Sequence, residues 1–204
     1  DPVKNFFEFV APELSNKDKF IIANSDLLSM AILNELIQNP ITASMVRTTV
    51  APTMINSGIK SNVLPSIATA TLNFRLSHGD TIEDVERHIY DVVKDKDIKV
   101  NIVDEIISSN PSKVSSIDSP FFNLIHKTIK EIYSNVLVAP SLVVATTDSR
   151  YYQSISKDIY RFNPIKINNK DLSMIHGYNE KIPIIDYLDM IQFYIQLIKN
   201  INVI

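Results

Sequence analysis

The chain has 204 residues, 45% of them hydrophobic, with 20 basic side chains against 23 acidic ones for a net charge of -3. That length suits one large domain or two small ones with a real core, and the even mix of signs excludes the basic footprint of a nucleic-acid binder. Cysteine is absent, which excludes disulfides and thiolate metal sites.

No apolar stretch predicts a membrane span. The richest, Ile184 to Ile198, is interrupted by Asp186, Asp189, Gln192 and Gln196. Three glycines against ten prolines argue against a glycine-rich phosphate loop. The Asp1-Pro2 start, without an initiator Met or signal-like segment, is what a fragment or processed product would show.

In chain order, residues 4–46 read as helices. Asn5 to Val10 is a short apolar segment stopped by Ala11-Pro12. Asp26 is the expected N-cap of a helix over Leu27 to Ile37, which ends before Asn39-Pro40. Arg47 to Met54 is β-branched and reads as a strand, and Asn56-Ser57-Gly58 as the turn after it. The second arm of that hairpin is Asn62 to Arg75. From Ile67 it alternates, with Ala68, Ala70, Leu72 and Phe74 on one face and Thr69, Thr71, Asn73 and Arg75 on the other. Thr81 caps the next helix, with Asp84 three residues on, and Ile82, Val85, Ile89 and Val92 form its apolar face. Lys99 to Val103 reads as a third strand. Helix, two strands, helix and strand make most of a small α+β sandwich that lacks its first strand.

Ser108 to Ser119 is polar, contains Pro111 and reads as a linker. Ser119-Pro120 is an N-cap followed by proline at the first helical position, opening a helix to about Tyr133 with Ile125, Ile129, Ile132 and Tyr133 buried. Leu142 to Ala145 reads as a buried strand and Ile159 to Phe162 as a short one. Pro183 opens a last helix, apolar on most of its circumference and so expected to be packed on both sides.

Four histidines stand in the chain. His88 and His126 read as solvated helix positions, and His78 lies in a turn. His176 sits in a loop beside Gly177, with Asn179 and Glu180 close behind, which suits a metal ligand or an acid/base as well as a plain surface residue. No second His lies at ligand spacing, so any further ligands must come from elsewhere. Thr147-Asp148-Ser149-Arg150 follows a predicted strand. There Arg150 could hold a carboxylate in a two-bond grip or merely pair with Asp148.

Taken as an ordered set, Arg47-Thr48-Thr49, Asn62-Val63-Leu64-Pro65, Ala70 to Arg75, Thr147 to Arg150, Ile159 to Phe162 and His176 to Ile182 resemble one family. It is the di-zinc amidohydrolase family of aminoacylase, carboxypeptidase S and succinyl-diaminopimelate desuccinylase. The closest branch is that of carboxypeptidase S and the N-fatty-acyl-amino-acid synthase/hydrolases. The resemblance implies a ferredoxin-like α/β sandwich lid over residues 1–107, which also makes a homodimer. Residues 108–204 would be the C-terminal segment of a zinc-peptidase α/β catalytic domain.

It further implies two zinc ions in the intact enzyme, with His176 as one ligand, and substrate contacts from Asn62, Arg75, Thr147, Asp148 and Arg150. The reaction implied is cleavage of amide bonds in N-acyl-amino acids or of C-terminal peptide bonds. The family's other metal ligands and its general base would lie in the missing N-terminal half, so the chain alone would not catalyse. Where relatives carry glycine before Thr-Asp, this chain has Ala145-Thr146. Two other readings stand beside it: a non-catalytic dimerisation or small-molecule-binding module, and an inactive member of the family. On the geometry, thirteen residues of straight strand at roughly 3.3 Å each would set Asn62 and Arg75 about 43 Å apart. Either the Pro65 segment curls back or the two serve different points.

Overall fold

The structure is a computed structural model and describes residues 2–103, 108–168, 171 and 174–202. It divides into two compact units, one of Asn16–Val114 and one of Asp1–Ser15 with Ser115–Ile204. Among the described residues, helices and one antiparallel hairpin give the chain a mixed α/β character.

The discontinuous unit opens with α1 (Pro2–Val10). Its Phe9 meets Phe122 edge-on at 6.0 Å between ring centroids, so the apolar segment read at Asn5 to Val10 folds against sequence more than a hundred residues away.

In the other unit, α2 (Asn16–Ala23) and α3 (Ser25–Leu36) follow each other closely. The cap expected at Asp26 falls two residues earlier, on Asn24. The Asn24 side chain makes no cap bond and donates instead to the Phe20 carbonyl at 2.8 Å, which leaves Asp26 in the first turn. Pro40 starts a further helix, α4 (Pro40–Val46), because its missing N–H is one the first turn does not use. Asn39 caps it, accepting from the Ile41 amide at 2.9 Å.

The hairpin consists of β1 (Thr49–Ser57) and β2 (Ala68–Arg75), in register from Thr49 opposite Arg75 to Ser57 opposite Ala68, with a bulge between Pro52 and Met54. Pro52 cannot donate to a ladder, and the bulge falls beside it. The turn expected at Asn56-Ser57-Gly58 begins only at Gly58, whose φ of 69° suits glycine. Asn56 and Ser57 belong to the ladder, opposite Thr69 and Ala68. Residues 62–67, expected in the strand, are loop; Pro65 has no N–H to give a partner strand.

α5 (Ile82–Val93) carries the complete capping box expected at its start. The Asp84 amide donates to Thr81 Oγ1 at 3.2 Å and the Thr81 amide to the Asp84 carboxylate at 3.0 Å. Ile82, Val85 and Ile89 are half-buried, while Val92 is exposed. The strand expected at Lys99 to Val103 is absent; those residues are irregular. A ladder needs a facing strand, and among the described residues only β1 and β2 pair.

The C-terminal unit is built on α6 (Pro120–Ile132) and α7 (Ile184–Ile201). Ser119 caps α6 as expected, accepting from the Phe121 amide at 3.3 Å. The face of α6 that packs is Leu124, Thr128 and Ile129, with Ile125 and Ile132 only half-buried. Phe193 of α7 is 1% exposed and Thr128 fully buried. Asn200 joins the two helices, donating to Thr128 Oγ1 and to the Glu131 carboxylate, each at 2.9 Å. The strands expected at Leu142 to Ala145 and at Ile159 to Phe162 are irregular segments. α7 packs on one side only. Ile184, Leu188, Ile191, Ile195 and Ile198, spaced three or four apart, are exposed along the other.

Candidate functional site

In the hairpin unit, Arg75 is the last residue of β2, exposed and opposite Thr49. The backbone just beyond it is pinned: the Ser77 amide donates to Thr48 Oγ1 at 2.8 Å, and the Thr48 hydroxyl donates in turn to the Asp80 carboxylate. Asn62 lies in the exposed 58–67 loop at the other end of the hairpin. The eight residues of β2 between the loop and the pinned end span about 23 Å. The loop that carries Asn62 therefore lies at the opposite end of β2 from Arg75.

In the C-terminal unit, Thr147 caps a short 3-10 turn, Asp148–Ser154, and accepts from the Ser149 amide at 3.3 Å. Thr147 and Asp148 are exposed, and Arg150 is half-buried. Arg150 donates to the Tyr151 hydroxyl at 2.7 Å, its guanidinium carbon 4.8 Å from that ring's centre. No ion pair between Asp148 and Arg150 is seen among the described residues.

Arg161 received no role from sequence. Its Nε donates to Ser149 Oγ at 2.6 Å, tying the Ile159–Phe162 segment to the turn that carries Thr147, Asp148 and Arg150. An arginine inside the apolar run Ile-Tyr-Arg-Phe was the only signal for it.

His176 is exposed and has φ of 61°, in the left-handed region, as does Asn179 at 64°. The His176 amide donates to the Glu180 carboxylate at 3.1 Å and the Gly177 amide to the Met174 carbonyl at 2.9 Å. On the far side of this loop, Asp186 in the first turn of α7 is 3% exposed and accepts from the Lys166 amide at 3.3 Å. The Lys166 ammonium lies 3.6 Å from Asp189. His126, expected to be solvated, is half-buried with its ring 6.5 Å from Phe122.

The family model described as a peptidase dimerisation domain matches residues 14–101, which include the hairpin and α5. A probable carboxypeptidase S-like 2 from Dictyostelium discoideum is 38% identical over 194 residues, covering 95% of this chain and 37% of the relative. The N-fatty-acyl-amino acid synthase/hydrolase PM20D1 of Xenopus tropicalis is 36% identical over 200 residues, 98% of this chain and 38% of the relative. Nearly the whole chain is thus similar to carboxypeptidase S-like proteins and N-fatty-acyl-amino acid synthase/hydrolases. Carboxypeptidase S of Saccharomyces cerevisiae is more distantly similar, 28% identical over 190 residues, 78% of this chain and 32% of its own length. The chain spans less than two fifths of each of these relatives. No solved structure matches it significantly.

Zinc, the metal implied by the family resemblance, can be tested against the donors present. Among the described residues, no three His, Asp or Glu side chains come together as a metal cluster. The His176 imidazole is exposed, on a turn fixed by its own backbone bonds, and a neutral imidazole is a common zinc donor. The described residues thus offer zinc one donor, the His176 imidazole, of the three or four such a site takes. No helix is long and apolar enough to cross a membrane among the described residues.

Proposed function

We propose that this chain is the lid and the C-terminal catalytic segment of a zinc-dependent amide hydrolase. Its substrates would be N-acyl-amino acids or peptides cut at the C-terminal bond. The observation that carries the reading is the ordered agreement of nearly the whole chain with carboxypeptidase S-like and synthase/hydrolase relatives, together with the loop histidine held in a defined turn. Residues 1–107 are assigned the lid and dimerisation role and residues 108–204 the catalytic segment, except that α1 belongs to the compact unit of the latter, where Phe9 packs on Phe122.

His176 is the residue that would hold zinc. When bound, zinc supplies a Lewis acid that polarises the scissile carbonyl. Arg75 binds the free carboxylate of the substrate by charge-assisted hydrogen bonds. In the C-terminal unit Thr147, Asp148 and Arg150 are further substrate-binding residues, carried by the 3-10 turn that Arg161 ties down, and Asn62 is another in the hairpin unit. Because the hairpin separates Arg75 from the Asn62 loop, the two serve different points or different subunits of a homodimer. The chain alone, with one metal donor, does not catalyse.

The test uses the full-length protein. Bound zinc is quantified, and hydrolysis of N-acyl-amino acids and blocked dipeptides is followed with and without their free carboxylate. About two zinc ions per subunit and turnover that requires the carboxylate support the reading. A metal-free protein without turnover would leave a binding or dimerisation module.

A further inference from the structure

We propose that Glu180 is a positioning residue, whose carboxylate holds the His176 turn in the left-handed backbone conformation that presents the imidazole as a ligand. The proposal rests on the reading of His176 as a zinc ligand.

Two non-glycine residues with positive φ stand within four positions, His176 at 61° and Asn179 at 64°. Side chains of L-residues crowd the backbone there, and among non-glycine residues asparagine and histidine take that conformation more readily than most. Such conformations persist where neighbouring contacts over-determine them, and they gather at functional sites.

Here the contact is specific. Glu180 closes the turn back onto the His176 amide at 3.1 Å, spanning both left-handed residues. An ionised acceptor makes a stronger bond than a carbonyl would. The Gly177 amide, bound to Met174 O at 2.9 Å, fixes the turn from its other side. Glu180 therefore acts on the backbone of His176 and leaves the ring open for a metal. Were it only a solvated acid, its removal would leave the turn unchanged.

The full-length protein is compared with E180A, E180Q and E180D. Hydrogen exchange is read at the His176 amide, and zinc affinity by competition with a chelator. Loss of an orienting partner of a metal ligand lowers affinity by about 10- to 100-fold, and E180A should fall in that range while its His176 amide exchanges faster. Glutamine keeps an acceptor at the same reach, so E180Q should recover most of both readouts. Aspartate is one methylene too short, so E180D should behave like E180A.

Unchanged exchange in E180A overturns the proposal. So does faster exchange with wild-type zinc affinity, provided that H176A itself loses zinc. If H176A binds zinc as wild type does, the ligand reading fails, and the exchange data still decide whether Glu180 fixes the turn. Should E180A not fold, the contrast between E180Q and E180D carries the same decision.

Discussion

Arg75 ends a strand whose following residues are pinned through Thr48, Ser77 and Asp80, so its guanidinium starts from a fixed backbone and an exposed position. A charged hydrogen-bonded contact to a carboxylate is worth about 1.5–3 kcal/mol. In the full-length enzyme, R75A should therefore raise KM for carboxylate substrates by roughly 10- to 100-fold, with little change for substrates whose carboxylate is blocked. Steady-state kinetics on such a pair of substrates checks it, and an unchanged KM removes Arg75 from the site. This residue was legible in the sequence because strand alternation fixes which face it takes. Asn62 was less so, since where the strand gives way to loop depends on Pro65 and on the partner strand. The loop position of His176 was also legible. Its left-handed backbone was not, because the contact that holds it comes from a side chain four residues on. Arg161 escaped notice because it is tied to Ser149, twelve residues away and in another segment.

At the scale of elements, local capping signals read well and pairing signals read poorly. Thr81 with Asp84, and Ser119 with Phe121, are contacts between residues up to three positions apart, and both form. T81A should cost about 1 kcal/mol, measurable as a lowered denaturation midpoint. Hydrogen bonding from Thr81 holds the Asp84 carboxyl below its ordinary value. A lowered folded-state value contributes stability that is present above the unfolded carboxylate range and lost as pH falls through the folded one.

The same sign applies between α6 and α7. The Asn200 side chain, first among the causes, lowers the Glu131 carboxyl. N200A should lower the denaturation midpoint, since it removes the hydrogen bonds joining Asn200 to Thr128 and to Glu131. It should also flatten the part of the acid unfolding curve that belongs to Glu131; an unflattened curve would assign that acid sensitivity to other carboxyls. Lys99 to Val103 and Leu142 to Ala145 have strand-like composition, but a strand forms only against a neighbour. Among the described residues none faces them, and that neighbour is not a property of the segment itself.

The whole chain exposes 15868 Å². Two independent compact domains of half its 23.1 kDa each would expose together about 11,600 Å². Many large aliphatic side chains are among the exposed groups. Ile59 and Leu64 in the hairpin loop are 91% and 93% exposed, and the open side of α7 carries five more aliphatic residues. Among the described residues, the buried hydrophobic side chains are Ala43, Leu124, Ile129 and Phe193, a small core for this length. Exposed patches of this extent mark surfaces made for another body. The relatives, more than twice as long as the matched region, supply a ready source for one, and a second copy supplies another through the dimerisation domain. The 204 residues expressed alone should bind a hydrophobic fluorescent dye strongly and assemble increasingly with concentration in sedimentation. The full-length protein, at the same molar concentration, should bind several-fold less dye and sediment as a dimer at all but the lowest concentrations. Equal dye binding by the two would mean that these faces stay open in the longer protein as well, and would turn attention to an external partner.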